Sequence, residues 1–147
     1  MDDDDFYFPT RVSHAVSALQ TSGKEIAGST KLIIYYSHDE SLWISGPFGE
    51  NHATAGTFAM TKEFASKTHY NKNDECNEEK HFLNGYSIPM AQLHPEKTMV
   101  CISHSSNTFD KKKMRKGGES PRMRRLDQKS NQKLQKILKD YLKQDNA

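Results

Sequence analysis

Cysteine is scarce in this chain, and several kinds of segment are missing from it. Only two cysteines, Cys76 and Cys101, occur among 147 residues, too few for the disulfide framework of a small secreted domain. No apolar run approaches the roughly 20 residues that a membrane-spanning helix needs. The N-terminus has neither the basic nor the apolar region of a secretory signal, and no Asn-x-Ser/Thr acceptor occurs. We therefore expect a cytoplasmic or nuclear protein without a membrane partner, acting in the host cell if it comes from a virus or pathogen.

The positive charge is concentrated at one end. Residues 111–147 hold thirteen lysines and arginines against four acidic residues, a net charge of +9, whereas residues 1–110 have a net charge of −7. Such a segment favours an anionic partner, either RNA or DNA or an acidic protein surface. We predict a nucleic-acid-binding protein, with an interaction protein that docks an acidic partner as the alternative. The predicted phosphate-binding residues are Lys111, Lys112, Lys113, Arg115, Lys116, Arg122, Arg124 and Arg125.

Composition also predicts how the chain is divided. Hydrophobic residues make up only 34% of it, so we expect one core with polar ends. The predicted parts are an acidic, disordered lead-in at 1–9, an α/β domain at 10–110, a basic flexible linker at 111–120 and a basic amphipathic helix at 121–147. The four aspartates of the lead-in are a candidate intramolecular partner for the basic segment.

The first half of the predicted domain has clear local patterns. Residues 10–22 carry apolar side chains at helical spacing and end before Gly23, which indicates a helix. Residues 31–37 and 41–45 are rich in β-branched and aromatic residues and indicate two strands. The polar residues 38–40 between them have the length of a hairpin turn.

The second half of the domain completes an α/β pattern. The sequence predicts a helix over residues 52–69 with Asn51 as its N-cap, and a strand over 98–103. Ser120 and Pro121 indicate the start of the C-terminal helix, because proline is tolerated at the first helical position. The expected fold is a small mixed sheet of three or more strands, with a helix before it, a helix after the first hairpin and the basic helix last; an α+β arrangement stays open.

The segment His52-Ala53-Thr54 follows the predicted hairpin, and this placement resembles the cytidine-deaminase-like fold. In that family a His-Ala-Glu turn supplies a zinc ligand and a proton-shuttling carboxylate, and a Cys-x-x-Cys pair follows a later strand. Here His52 matches the zinc ligand, but Thr54 stands at the place of the glutamate, and no Cys-x-x-Cys pair occurs. The resemblance covers residues 10–110 in element order and implies the fold of the family in a degenerate form, without its chemistry.

Two His-x-Ser/Thr units suggest another enzyme. His52 precedes Thr54 by two residues, as His104 precedes Ser106. The pair resembles the motifs of the two-histidine phosphoesterase family, in which each histidine transfers a proton and each hydroxyl holds phosphate oxygens. Histidine suits this role because its unperturbed pKa, about 6.5, lies near working pH. If the chain is a phosphoesterase or nuclease, these four residues are the candidate catalytic set.

A metal site and a stacking surface complete the candidates. Cys76 and His81 have a spacing compatible with zinc, but no second ligand pair is spaced to complete a structural site. We therefore expect no cofactor, with zinc as the alternative. Cys101 lies among apolar residues and is predicted to be a core residue. Three aromatic residues of the hairpin either pack in the core or stack nucleobases on an exposed sheet face; they are Tyr35, Tyr36 and Trp43.

Overall fold

Eight strands and four α-helices occur in residues 4–68, 78–104 and 111–145, the part of the chain that the computed structural model describes. The strands are β1 (Phe6–Tyr7), β2 (Ile26–Gly28), β3 (Leu32–Tyr36), β4 (Ser41–Ser45), β5 (Ala59–Met60), β6 (Met90–Gln92), β7 (Met99–Ser103) and β8 (Met123–Arg125). The helices are α1 (Arg11–Ser22), α2 (Lys62–Lys67), α3 (Glu78–Phe82) and α4 (Gln132–Asp145). The predicted class, a small α/β domain with a mixed sheet and a C-terminal helix, is confirmed.

The larger sheet has the strand order β1-β7-β3-β4-β8 and contains both parallel and antiparallel pairs. β3 and β4 form the predicted hairpin, in which Ile34 lies opposite Trp43. The third predicted strand, β7, runs parallel to β3 and places Cys101 beside Ile34. The β-branched and aromatic residues of these strands favour extended backbone because they pack well on a pleated surface.

The two faces of the larger sheet pack against different parts of the chain. Because side chains alternate along a strand, Tyr35 and Leu42 share one face, which α4 covers. Leu138 of α4 is fully buried there, with Leu134 and Leu142 packed beside the cluster, so the predicted apolar stripe of α4 is confirmed. The opposite face, called here the Trp43 face, carries Ile34, Tyr36, Trp43, Met99, Cys101 and Met123.

The smaller sheet has the order β5-β2-β6 and supports α1. Ala15 of α1 packs against Ala27 and Ala91 of the sheet, and these short side chains let the helix lie close to the strands. α1 ends at Gly23, whose φ of +66° is a conformation that glycine adopts without strain. The described ranges contain no helix with both the length and the apolar content needed to cross a bilayer.

The predicted helix over residues 52–69 is wrong. A short 3-10 helix (Ala55–Thr57), β5 and α2 occupy this stretch, as far as residue 68. α2 begins after Thr61, whose hydroxyl accepts a hydrogen bond from Phe64 N and so caps the helix. The expected cap, Asn51, instead accepts a hydrogen bond from Met90 N of β6 at 3.3 Å.

The C-terminal helix begins later than predicted. Pro121 lies in a tight turn that is closed by hydrogen bonds between Ser120 and Met123, and proline suits such a turn because its φ is already fixed. The chain then forms β8, which pairs with β4 and buries Met123 on the Trp43 face. The helix α4 starts only at Gln132.

The prediction of a disordered lead-in is wrong for residues 4–9, because β1 pairs with β7. Beyond β1 the free edge of β7 is bound by two side chains. Asp5 Oδ1 accepts a hydrogen bond from Ile102 N at 2.9 Å, and Lys111 Nζ donates one to Ile102 O at 3.1 Å. Asp5 is only 5% exposed, and burial raises the pKa of its carboxyl group despite the hydrogen bond from Ile102. The N-terminus and the basic segment therefore meet at one residue of β7.

We expect Asp5→Ala to lower the free energy of unfolding by about 2–3 kcal/mol at pH 7, because it leaves the buried Ile102 N–H without an acceptor. Asp5→Asn keeps an acceptor and should cost less. Since burial raises the folded pKa of Asp5, ionising this carboxyl group costs the folded state free energy, so the wild-type chain loses part of its stability as the pH rises above about 4, the unfolded value. The carboxylate still accepts the hydrogen bond from Ile102 N at pH 7. Urea denaturation between pH 4 and pH 7 should show that loss in wild type and not in Asp5→Asn; equal profiles for both variants would contradict it.

Candidate nucleic-acid interface

The first half of the basic segment is docked on the larger sheet. Lys111–Arg115 form a 3-10 helix, called here the basic 3-10 helix, where a flexible linker was predicted. Its first residue is fixed twice, because Lys111 Nζ binds the carbonyl of Ile102 and Tyr36 Oη donates to the Lys111 carbonyl at 2.8 Å. The lysines that follow therefore have a defined position on the domain.

Arg115 anchors the other end of the basic 3-10 helix. Its guanidinium lies 4.0 Å from the ring centroid of Tyr36 and 5.8 Å from that of Trp43. It donates hydrogen bonds to Asp39 Oδ2 at 2.7 Å and to Ser41 Oγ at 3.0 Å, and it contacts His38 Nε2. With its side chain 16% exposed and its charge paired, Arg115 positions the helix on the sheet.

The β3–β4 turn is built to receive this arginine. Ser41 N and Ser41 Oγ both donate to Asp39 Oδ1, and Trp43 Nε1 donates to Ser41 Oγ. Burial alone would raise the pKa of Asp39, but hydrogen bonds from Ser41 and Arg115 outweigh it and hold the pKa at about 2. The hydrogen-bonded Asp39 carboxylate therefore stabilises the fold. Because unfolded aspartate titrates near pH 3.9, this stabilisation is present above about pH 4 and is lost as the pH falls towards 2.

A shallow recess beside this anchor is lined by positive groups. Its lining residues are His38, Lys112, Lys113, Arg115 and Lys116. No carboxylate is among these five, and the side chains of Lys113 and Lys116 are exposed to solvent. Closely spaced cations with no acid in the lining attract anions, and lysine ammonium groups bind phosphate as point charges.

The predicted arginines of β8 lie on both sides of the sheet. Arg125 is opposite Trp43 and Arg124 is opposite Ile44, so their side chains leave opposite faces. Arg125 belongs to the Trp43 face and lines a separate recess, together with Glu119 and Asp127. Arg122 lies at the far end, where its carbonyl accepts a hydrogen bond from Gly46 N at 2.9 Å. All three arginines are exposed.

The carboxylates that meet the basic segment come mainly from the hairpin turn. Asp39 pairs with Arg115, and Glu40 pairs with Lys139 of α4 at 2.6 Å. Of the N-terminal aspartates, Asp4 lies 3.2 Å from His104 Nε2. Asp5 is held inside the fold, close enough for electrostatic attraction to Lys111, and residues 2 and 3 lie outside the described part. Asp39 therefore offsets part of the positive charge at one side of the recess, where it contacts both Arg115 and His38.

His52 and His104 are not brought together. The loop that carries His52 donates two backbone N–H groups to Thr30 Oγ1, just before β3 begins. His104 directly follows Ser103, which lies beside the last residue of β3. A five-residue strand separates its ends by about 16 Å, and the contacts of the two loops are at opposite ends of β3. The fourth member of that set, Ser106, lies outside the described residues.

His52 instead belongs to a local polar and aromatic cluster. Its ring lies between Phe48 and Tyr86, at centroid distances of 5.1 and 4.6 Å. Burial lowers the pKa of His52, with Glu79 acting against this shift. His52 Nδ1 and Thr54 Oγ1 are buried and have no hydrogen-bond partner among the described residues. Phe48 and Tyr86 are the members of this cluster that the sequence did not indicate, because their contact depends on loops distant in the chain.

The remaining predictions concern a metal site, Cys101 and the aromatic residues of the hairpin. His81 is on α3, whereas Cys76 lies outside the described residues, and the described part contains no group of three or more metal-binding side chains. Cys101 is a buried core residue as predicted, and burial raises the pKa of its thiol to about 12. The hairpin aromatics take the core alternative, since each is at least 93% buried: Tyr35, Tyr36 and Trp43.

The chain matches no protein-family model, no curated protein and no solved structure in the comparisons with known proteins. The cytidine-deaminase-like resemblance accordingly stays a prediction, as do the enzymatic alternatives. The structure defines a small mixed α/β domain with a docked basic 3-10 helix and with exposed arginines on both faces of its edge strand β8.

Proposed function

We propose that this protein binds nucleic acid through the basic recess and the adjoining arginines of β8. The observation that carries the proposal is the recess itself, in which three lysines lie together beside His38 and beside Arg115, whose charge is paired with Asp39. Arg115 and Lys111 supply the rigidity, because they hold the basic 3-10 helix on the sheet. A cationic surface that is already ordered binds phosphates with less loss of conformational entropy than a flexible tail.

The shape of the positive region favours nucleic acid over an acidic protein. The recess lies at the Ser41 end of β4, and along β4 the chain that contains β8 extends from Arg125 beside Trp43 to Arg122, the residue before β8, beside Gly46. This region extends along about 15 Å of strand, which suits a backbone of regularly spaced phosphates. The arrangement is linear, whereas an acidic protein surface would have to match it side chain by side chain.

A salt titration tests this proposal. We expect fluorescence anisotropy with single-stranded and duplex DNA and RNA to show binding that weakens steeply between about 50 and 200 mM salt. About five phosphate contacts would give a log–log slope near −3.5 for a single strand. Polyglutamate serves as the acidic-protein control. The proposal fails if no nucleic acid is retained near 150 mM salt, or if polyglutamate binds more tightly than nucleic acid of equal charge.

A further inference from the structure

An aromatic group lies at the end of the larger sheet away from the recess. Phe48, His52 and Tyr86, called here the aromatic triad, pack ring against ring with interplanar angles of 56° and 53°. Phe48 is the outermost ring and is 39% exposed. A phenylalanine side chain is a large apolar surface. Because the Phe48 ring is partly exposed and packs on other rings, it is a candidate contact surface.

The loop that presents Phe48 is fixed by its backbone. The N–H groups of Phe48 and Gly49 both donate to Thr30 Oγ1, at 2.8 and 3.0 Å. Gly46 has a φ of +93°, and a Cβ at this position would collide with the carbonyl oxygen of Thr30. Glycine is therefore required there, and the close approach holds the loop against the start of β3. The backbone that carries Phe48 is consequently held in place at the start of β3.

The loop that carries Phe48 is joined by its backbone to the residue that precedes β8. Gly46 N donates to the carbonyl of Arg122, so Phe48 follows two residues after a direct contact with the arginine-bearing strand. From Ser41 at the recess to Phe48 the chain runs along β4 and past its end, a span of about 20 Å. Cations along a path that ends at an exposed ring are the combination by which proteins hold single strands, with phosphates on the cations and bases on the rings.

We infer that Phe48, supported by His52 and Tyr86, is a stacking platform for an unpaired base, and that the protein therefore prefers single-stranded nucleic acid over a duplex. The inference rests on the proposed function and names its substrate class. A duplex keeps its base faces stacked inside the helix and offers no free face to Phe48. Burial lowers the pKa of His52, so its ring is neutral at pH 7 and packs between the two aromatic neighbours without a charge.

The test compares Phe48 variants on three probes: a thymidine oligonucleotide, a duplex of equal length, and heparin as a polyanion without bases. Phe48→Ala is expected to weaken binding of the oligonucleotide by about 5- to 100-fold and to leave heparin binding unchanged. Phe48→Trp keeps a ring for stacking and should retain tight binding. Its added fluorescence should be quenched by the oligonucleotide and not by heparin.

A matched control removes an exposed apolar side chain elsewhere. Val12 is 66% exposed on α1, which packs on the smaller sheet, so Val12→Ala should leave all three affinities unchanged. Thermal denaturation of Phe48→Ala confirms that the variant is folded. If wild type binds no polyanion, the proposed function itself fails. If wild type binds oligonucleotide, duplex and heparin alike, or if Phe48→Ala weakens all three equally, only the stacking inference is overturned.

Discussion

Replacing Arg115 with alanine is expected to lower the free energy of unfolding by about 2–3 kcal/mol and to detach the basic 3-10 helix from the sheet. The side chain makes two charge-assisted hydrogen bonds and lies over two aromatic rings. A hydrogen bond to a charged group contributes about 1.5–3 kcal/mol and a cation–π contact about 0.5–2 kcal/mol. The total is discounted because Asp39 is 41% exposed and water screens the ion pair.

The same change should weaken nucleic-acid binding although the arginine is not expected to contact phosphate. Release of the helix disperses the lysines, so the loss in affinity should exceed the effect of removing one positive charge. Arg115→Lys keeps the charge and loses the planar stack and the paired hydrogen bonds, so it should resemble alanine in stability. Arg122→Ala, at an exposed arginine, is the control and should change stability by less than about 0.5 kcal/mol.

Urea denaturation and oligonucleotide binding of these three variants decide the role of Arg115. If Arg115→Ala is as stable as wild type and loses no more affinity than Arg122→Ala, the anchoring role is wrong. As the pH falls towards 2, where Asp39 becomes half protonated, the stability difference between wild type and Arg115→Ala should shrink, because the hydrogen bond from Arg115 increasingly meets a neutral acid.

Sequence patterns predicted those helices and strands whose own residues favour the conformation that they adopt. α1 has its stop signal in Gly23, and the hairpin strands have dense β-branched and aromatic residues. The stripe of α4 follows from helical spacing alone. In contrast, β2, with the sequence Ile-Ala-Gly, has little strand preference of its own, and its extended form depends on β5 and β6. No local pattern contains those partners.

The sequence predicted which basic residues belong to the candidate site, but not which side chains they contact. Arg115 was predicted to bind phosphate, whereas in the structure it donates a hydrogen bond to Asp39, which is 76 residues away in sequence. β8, with the sequence Met-Arg-Arg, forms a strand because β4 offers an open edge and Met123 fills the Trp43 face. The register of the hairpin was a usable signal, since it places Tyr36 and Trp43 on one face, where a cation could stack.

The location of the positive charge matters more than its amount if the recess is the binding site, and two matched double variants separate these alternatives. Lys113→Glu/Lys116→Glu changes the recess, where both side chains are exposed. Lys133→Glu/Lys136→Glu makes the same change in net charge at the same spacing on α4, which covers the opposite face of the sheet. We expect the recess variant to bind a single-stranded oligonucleotide roughly 10- to 100-fold more weakly near 100 mM salt, with a salt slope smaller in magnitude by about 1.4.

The α4 variant should keep most of the affinity, because phosphates on the Trp43 face lie more than about 10 Å from those lysines and salt screens the interaction over that distance. Both variants should unfold at wild-type urea concentrations, since none of the four lysines is buried. Equal losses for the two variants would mean that the net charge of the C-terminal residues drives binding and that the recess has no special role. A loss confined to the recess variant would instead tie the phosphate contacts to the surface that Arg115 and Lys111 hold in place.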